Sequence, residues 1–159
     1  MTQIRIRKAS ADDAPQLVDF NCAMARETEN LALDRDVVEA GVRALFDQPG
    51  RGFYVVADAA ERLAGSLMIT NEWSDWRNGM IWWIQSVYVR PEYRRRGVYR
   101  LLYDFVQCLA HETTEVCGFR LYVERENLRA QKTYRSLGMD RTRYLVYESM
   151  LRREDTSHE

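Results

Sequence analysis

The chain has little of what dedicated metal, disulfide or membrane proteins require. Its 159 residues include three cysteines and two histidines. Cys22, Cys108 and Cys117 show no metal-type spacing, and an odd count completes no disulfide framework. His111 and His158 have no partner pattern, so no metal site is expected. No apolar run is long enough to span a bilayer, and Met1-Thr2-Gln3-Ile4-Arg5 lacks the apolar core of a signal peptide. Reduced thiols fit the cytoplasm, which is the expected location. A net charge of -1 and a pI near 6.2 provide no global basic field for nucleic acid.

The composition is that of an ordinary globular protein, with 46% apolar and 30% charged residues. Ile4 to Arg7 alternates as a short strand would. Ser10 and Asp13 form a capping-box-like start to a helix over 11–26, with Leu17, Phe20 and Met24 on its buried face. A second helix is expected over 34–46, closed by the turn Gln48-Pro49-Gly50. Strands are expected over 53–57 and 63–70, then a polar, aromatic connection over 71–79 and a long apolar strand over 80–89. Val98, Leu101, Leu102, Phe105, Val106 and Leu109 trace a helical stripe. A strand over 119–123, a helix over 128–137 and a last strand over 144–150 complete the order. With no repeat and no linker, residues 1–151 are read as one mixed α/β domain, and 152–159 as a charged, disordered tail.

One stretch carries chemistry: Ser86-Val87-Tyr88-Val89-Arg90-Pro91-Glu92-Tyr93-Arg94-Arg95-Arg96-Gly97-Val98-Tyr99. A buried strand runs into a basic, glycine-containing turn that opens a helix. First-turn amides have no partner inside a helix and sit at the positive end of its dipole, so such a turn receives anions. A solvated arginine patch is the plain alternative. The order of strand, turn and amphipathic helix favours an anion site suited to a pyrophosphate.

Val87 to Gly97 resembles motif A of the GNAT superfamily of N-acetyltransferases, whose core reads Arg/Gln-x-x-Gly-x-Gly/Ala. Arg94 and Gly97 match it, while Tyr99 stands where the family usually has a small residue. Downstream, Leu121-Tyr122-Val123, Asn127, Ala130, Tyr134 and Gly138-Met139 resemble motif B. The resemblance implies a mixed, mostly antiparallel sheet of about six to seven strands flanked by four helices. It implies acetyl-CoA as co-substrate, with its pantetheine arm along the splayed strand of Val87, Tyr88 and Val89. Its pyrophosphate would lie at the loop of Arg94, Arg95, Arg96, Gly97, Val98, Tyr99 and Arg100. Asn127, with Ala130 beside it in the motif, would meet the cofactor arm, and Tyr134 would sit near the thioester sulfur. Asn127 also reads as a plain helix N-cap, and Tyr134 as a core aromatic.

Acetyl transfer needs a neutral amine, and freeing the lone pair of an alkyl amine at pH 7 costs roughly 4–5 kcal/mol. A base lowers that barrier, and a protonated tyrosine such as Tyr134 can serve as general acid to the departing thiolate. Some relatives place a glutamate where this chain has Gln85, and an amide is no base. Glu27, Glu29, Glu72 and Asp75 are then the candidate bases or acceptor contacts, each equally readable as a surface charge. Acidic groups beside Trp73 and Trp76 suit a cation. The N-terminal half also resembles the polyamine and diamine branch, so a small cationic amine is the expected acceptor. Packing of these tryptophans on a second subunit of a homodimer is the competing role. An acyl-CoA-binding domain without turnover is the alternative function.

Overall fold

The computed structural model describes residues 3–151, so the expected 152–159 tail lies outside the described residues. The chain divides into one compact unit up to Tyr122 and a second from Val123.

In the first unit a five-stranded sheet has the order β1-β2-β3-β4-β5. Its strands are β1 (Arg5–Lys8), β2 (Gly52–Asp58), β3 (Leu63–Ser74), β4 (Gly79–Val89) and β5 (Val116–Arg120). The first four pair antiparallel in sequence, and β5 joins β4 in parallel. Between them run α1 (Ala14–Glu29), α2 (Arg35–Asp47) and α3 (Val98–Glu112). The parallel pairing follows from α3, because parallel neighbours need a crossover and a helix supplies it.

Local chemistry explains the elements. Asp13 accepts from the Ser10 backbone at 2.8 Å, as the expected capping box requires, but the first three residues form a 3-10 turn and α1 itself begins at Ala14. Arg7 of β1 donates to Asp13 at 2.7 and 2.9 Å and to Asp58 at 3.0 Å, fixing the entry to α1. Burial pushes the Asp13 carboxyl up, but hydrogen bonds from Arg7 and Ser10 outweigh it and hold the group below its ordinary range. Asp34 caps α2 by accepting from the Asp36 amide at 3.0 Å. Gly52 is obligatory where β2 meets β3, since a Cβ there would fall 1.9 Å from the Ile69 carbonyl oxygen.

Alternation along β2 divides the core. Tyr54 and Val56 face α1 and α2, in a cluster with Leu17, Val18, Phe20, Val42, Leu45, Leu63 and Tyr88. The opposite face meets α3, where Tyr103 lies 5.9 Å from Phe119, and Phe119 lies 6.3 Å from Trp82. The sheet is thus covered on both sides.

The second unit contains α4 (Leu128–Ser136), ended by left-handed Gly138 at φ 83°. Four expectations need correction. The sheet has five strands among the described residues rather than six or seven. The strand expected over 119–123 ends at Arg120, because β4 bulges and β5 loses its ladder partner. Residues 144–150, where a last strand is expected, lie in the second unit, whose described residues form no strand among themselves. The connection expected over 71–79 is mostly strand, with the turn confined to residues 75–78.

Candidate active site

The site is built around an irregularity in β4. Met68 pairs with Gln85 but Ser66 pairs with Tyr88, so Ser86 and Val87 together oppose Leu67. Ser86 takes a left-handed φ of 49°, the geometry of a bulge with one extra residue. A bulge bends and twists its strand. On the other side the ladder to β5 stops at Trp83 and Arg120, leaving that edge of β4 from Ile84 to Val89 without a strand partner among the described residues. The extra residue also returns Tyr88 to the α1 face, where its ring lies 5.0 Å from Phe20.

Beyond β4, Pro91–Tyr93 makes a 3-10 turn and the chain reaches α3 through two left-handed residues, Arg95 at φ 61° and Gly97 at φ 75°. The arginine is strained by roughly 1–2 kcal/mol in that region, and strain of this kind gathers at ligand-binding turns. Turns with left-handed residues collect successive amides into an anion-binding concavity. The first helical bond runs from Leu101 N–H to Gly97 O. The amides of Arg95, Arg96, Gly97, Val98 and Arg100 have no backbone acceptor among the described residues. The space beside Gly97 is open, with no atom within 4 Å of a Cβ built there.

Side chains around this turn divide the work. Arg95, Arg96 and Arg100 are exposed, with Arg96 lying 5.9 Å from the Tyr93 ring. Arg94 instead braces the protein. It donates to the Val89 carbonyl at 2.8 Å and to Glu27 at 2.6 Å, and its guanidinium lies 5.5 Å from the Tyr88 ring. Tyr99, the departure from the small residue of motif A, stacks on Tyr103 one turn along α3 at 6.4 Å, so its ring runs along the helix.

Of the four candidate carboxylates, Glu27 accepts from the Tyr88 hydroxyl at 3.1 Å and from Arg94. Burial, followed by the bond to Glu27, raises the Tyr88 phenol above its ordinary value. Glu72 accepts from Arg120 at 2.8 and 3.0 Å and from the Trp83 indole at 2.5 Å. Asp75 accepts from the Trp76 amide at 2.9 Å, beside a Trp76 ring that is 85% exposed. Glu29 is exposed at the last turn of α1. Gln85 accepts from the Thr70 hydroxyl at 3.1 Å. Sequence reasoning missed Ser86, Trp83 and Arg120. A single arginine entering the apolar run 119–123 was the one signal available for Arg120.

In the second unit, Asn127 caps α4 by accepting from the Ala130 amide at 3.1 Å. Tyr134 lies in the middle of the helix, and burial raises its phenol above the ordinary value.

Comparison with known proteins decides the family. Residues 16–139 match the model of the acetyltransferase (GNAT) family. The chain belongs to the GNAT acetyltransferase family. No curated protein matches it. Among solved structures, a possible acetyltransferase from Clostridium difficile 630 is 42% identical, with a TM-score of 0.87 over 94% of this chain and 99% of that one. A predicted acetyltransferase from Clostridium acetobutylicum, solved with acetyl-CoA, is 15% identical, with a TM-score of 0.76 over 92% and 96% of the two chains. An aminoglycoside acetyltransferase from an uncultured soil metagenomic sample, in complex with sisomicin, is 14% identical, with a TM-score of 0.75 over 94% and 97%. At such identities the last two share the fold.

For this GNAT acetyltransferase, the matched span contains both the bulged strand with its turn and α4. No helix among its described residues is long and apolar enough to cross a membrane. No metal-binding cluster of His, Cys, Asp or Glu occurs among them either.

Proposed function

We propose that this acetyltransferase binds acetyl-CoA with the pyrophosphate on the amides of Arg95 to Arg100 and moves the acetyl group to a primary amine of a small cationic molecule. The observation that carries the reading is the strained, amide-rich turn directly after the bulged β4. The open edge of Val87 to Val89 would receive the amide groups of the pantetheine arm, as a strand edge receives a peptide. Arg95, Arg96 and Arg100 supply charge to the phosphates, and Arg94 holds the turn on β4 and α1. Three free cysteines suit a cytoplasmic setting.

In the reaction the amine nitrogen attacks the thioester carbon and the carbon–sulfur bond breaks. A backbone N–H near Val87 meets the oxyanion. Tyr134 gives its proton to the departing thiolate; its burial, by raising the phenol, keeps that proton in place at neutral pH. The amine loses its proton through water rather than to Glu27 or Glu72, whose oxygens already accept from arginines. Asp75 with the exposed Trp73 and Trp76 favours a cationic acceptor, by charge and by ring face.

Release of free thiol from acetyl-CoA, measured across polyamines, aminoglycosides, amino acids and peptides, tests this. Turnover is expected with polycationic amines. Turnover confined to neutral or acidic acceptors removes the cationic assignment, and cofactor binding without thiol release for any acceptor indicates a binding domain. Tyr134→Phe is expected to keep acetyl-CoA affinity and lower kcat about 100–10,000-fold; an unchanged rate makes Tyr134 a packing residue.

A further inference from the structure

We infer that the Gln85 carboxamide selects among amines. Its two N–H groups face the acceptor and hydrogen-bond an oxygen beside the reacting nitrogen, so the preferred substrate is a cationic amino alcohol rather than a plain diamine. The inference rests on the acetyl-transfer reading and names the substrate class of that same site.

Gln85 pairs with Met68, and Met68 packs on the cluster beneath α1 and α2, so the Gln85 side chain stands on that face of the sheet. It is the first residue of β4 on that face beyond Trp83, where the ladder to β5 ends. The left-handed Ser86 follows it directly. Gln85 therefore stands at the mouth of the split between β4 and β5, wholly within the first unit. Thr70, its diagonal neighbour on β3, donates its hydroxyl to Gln85 Oε1 at 3.1 Å. That bond holds the carbonyl end of the carboxamide toward β3 and leaves the NH2 end turned away from it.

Trp83, Gln85 and Tyr88 carry the side-chain donors of this stretch of β4. The Trp83 indole donates to Glu72 and the Tyr88 hydroxyl to Glu27. Neither N–H of Gln85 meets an acceptor among the described residues, although the residue is half-buried. Leaving such a donor unpaired costs free energy, and a ligand oxygen recovers it. A carboxamide takes up no proton at neutral pH, so its contribution is discrimination. A site built around a donor favours the substrate that has an oxygen there and disfavours the analogue without it.

The polar groups of the thioester arm are already provided for in the proposed reaction. The edge of Val87 to Val89 takes the pantetheine amides and a backbone N–H near Val87 takes the oxyanion, which leaves the acceptor as the partner of Gln85. Two residues of strand set Gln85 about 6–7 Å from Val87. An N–H···O bond spans about 3 Å of that distance, so the bonded oxygen lies roughly 3–4 Å from the reacting nitrogen. A hydroxyl on the carbon next to the one that bears the amine meets this requirement.

Thiol release from acetyl-CoA, measured with a propane diamine bearing terminal amines and with its analogue hydroxylated on the central carbon, tests this. The wild type is expected to favour the hydroxylated diamine in kcat/KM. Gln85→Leu is expected to reduce that preference about tenfold, through the KM of the hydroxylated acceptor, and to leave acetyl-CoA affinity unchanged. The hydroxyl also lowers the basicity of the amines, but equally for every variant, so the change in the ratio isolates the contact. Thr70→Val keeps the carboxamide and frees it to turn, and is expected to reduce the preference about two- to fivefold. A ratio unchanged in Gln85→Leu, or in Thr70→Val where the first variant does not fold, overturns the inference, as does an equal loss with both acceptors. Release with other amines but with neither diamine overturns it alone. Release with no amine at all removes the acetyl-transfer reading together with it.

Discussion

Two clusters of charge lie along β4, and they are arranged in opposite ways. At the corner of Glu72, Trp83 and Arg120, the carboxylate accepts three hydrogen bonds and the charges of Glu72 and Arg120 cancel. At the turn after Val89, the backbone is held left-handed at Arg95 and Gly97, open space lies beside Gly97, and amides of the helix entrance have no backbone acceptor among the described residues. The corner is a finished structure that ties β3 to β5 across β4. The turn is an unfinished one, whose amides have no backbone acceptor among the described residues. Charge density alone does not distinguish a binding site from a brace; whether the polar groups already have partners does. Arg94 makes the same point within a single motif, since its guanidinium is engaged by Val89 and Glu27 while its neighbours are exposed.

Substitutions can break this contrast. The largest effect is expected from Gly97→Glu, which puts a carboxylate and a strained side chain into the proposed anion site. Acetyl-CoA affinity by calorimetry should fall at least about 100-fold, or ~3 kcal/mol, and unchanged affinity would remove the turn from the cofactor site. Arg120→Met should act on the other cluster in the reverse sense. Thermal or denaturant unfolding is expected to show a loss of ~1–2 kcal/mol as Glu72 loses its cation in a half-exposed setting. Acetyl-CoA affinity should stay within about twofold, and a tenfold loss would show that the corner belongs to the cofactor site. Gly97→Ala separates conformation from charge: with room for the methyl group, it should cost ~1 kcal/mol of stability from the left-handed φ alone and only a few-fold in affinity. Glu27→Gln is the mildest. It keeps the shape but weakens the pair to Arg94, and a two- to fivefold loss of acetyl-CoA affinity is expected; no change at all would show that Arg94 needs no brace.

Much of this was legible beforehand where the signal is local. The Ser10–Asp13 box marks the start of the first helical stretch, and the apolar run from Met80 to Val89 marks β4, because capping and alternation act over a few residues. Gly97 is legible for the same reason, since a glycine before an amphipathic helix marks a left-handed entry. Ser86 is not: serine is no signal for a positive φ, and only the register against β3 shows that β4 carries an extra residue. The face chosen by Tyr88 follows from that bulge and was hidden with it. The pairing of Glu72 with Arg120 spans 48 residues, and Arg94 reaches Glu27 across 67, so neither could be read from spacing.

The last strand expected, over 144–150, falls in the second unit, whose described residues form no ladder of their own. By itself, then, the sequence determined the elements of short range: helix entrances, apolar stripes, the glycine at the turn before α3 and the order of the parts. The tertiary structure alone decided which charges are neutralised and where β4 bulges and departs from β5. Those outcomes depend on contacts between residues far apart in the chain, and no local propensity encodes them.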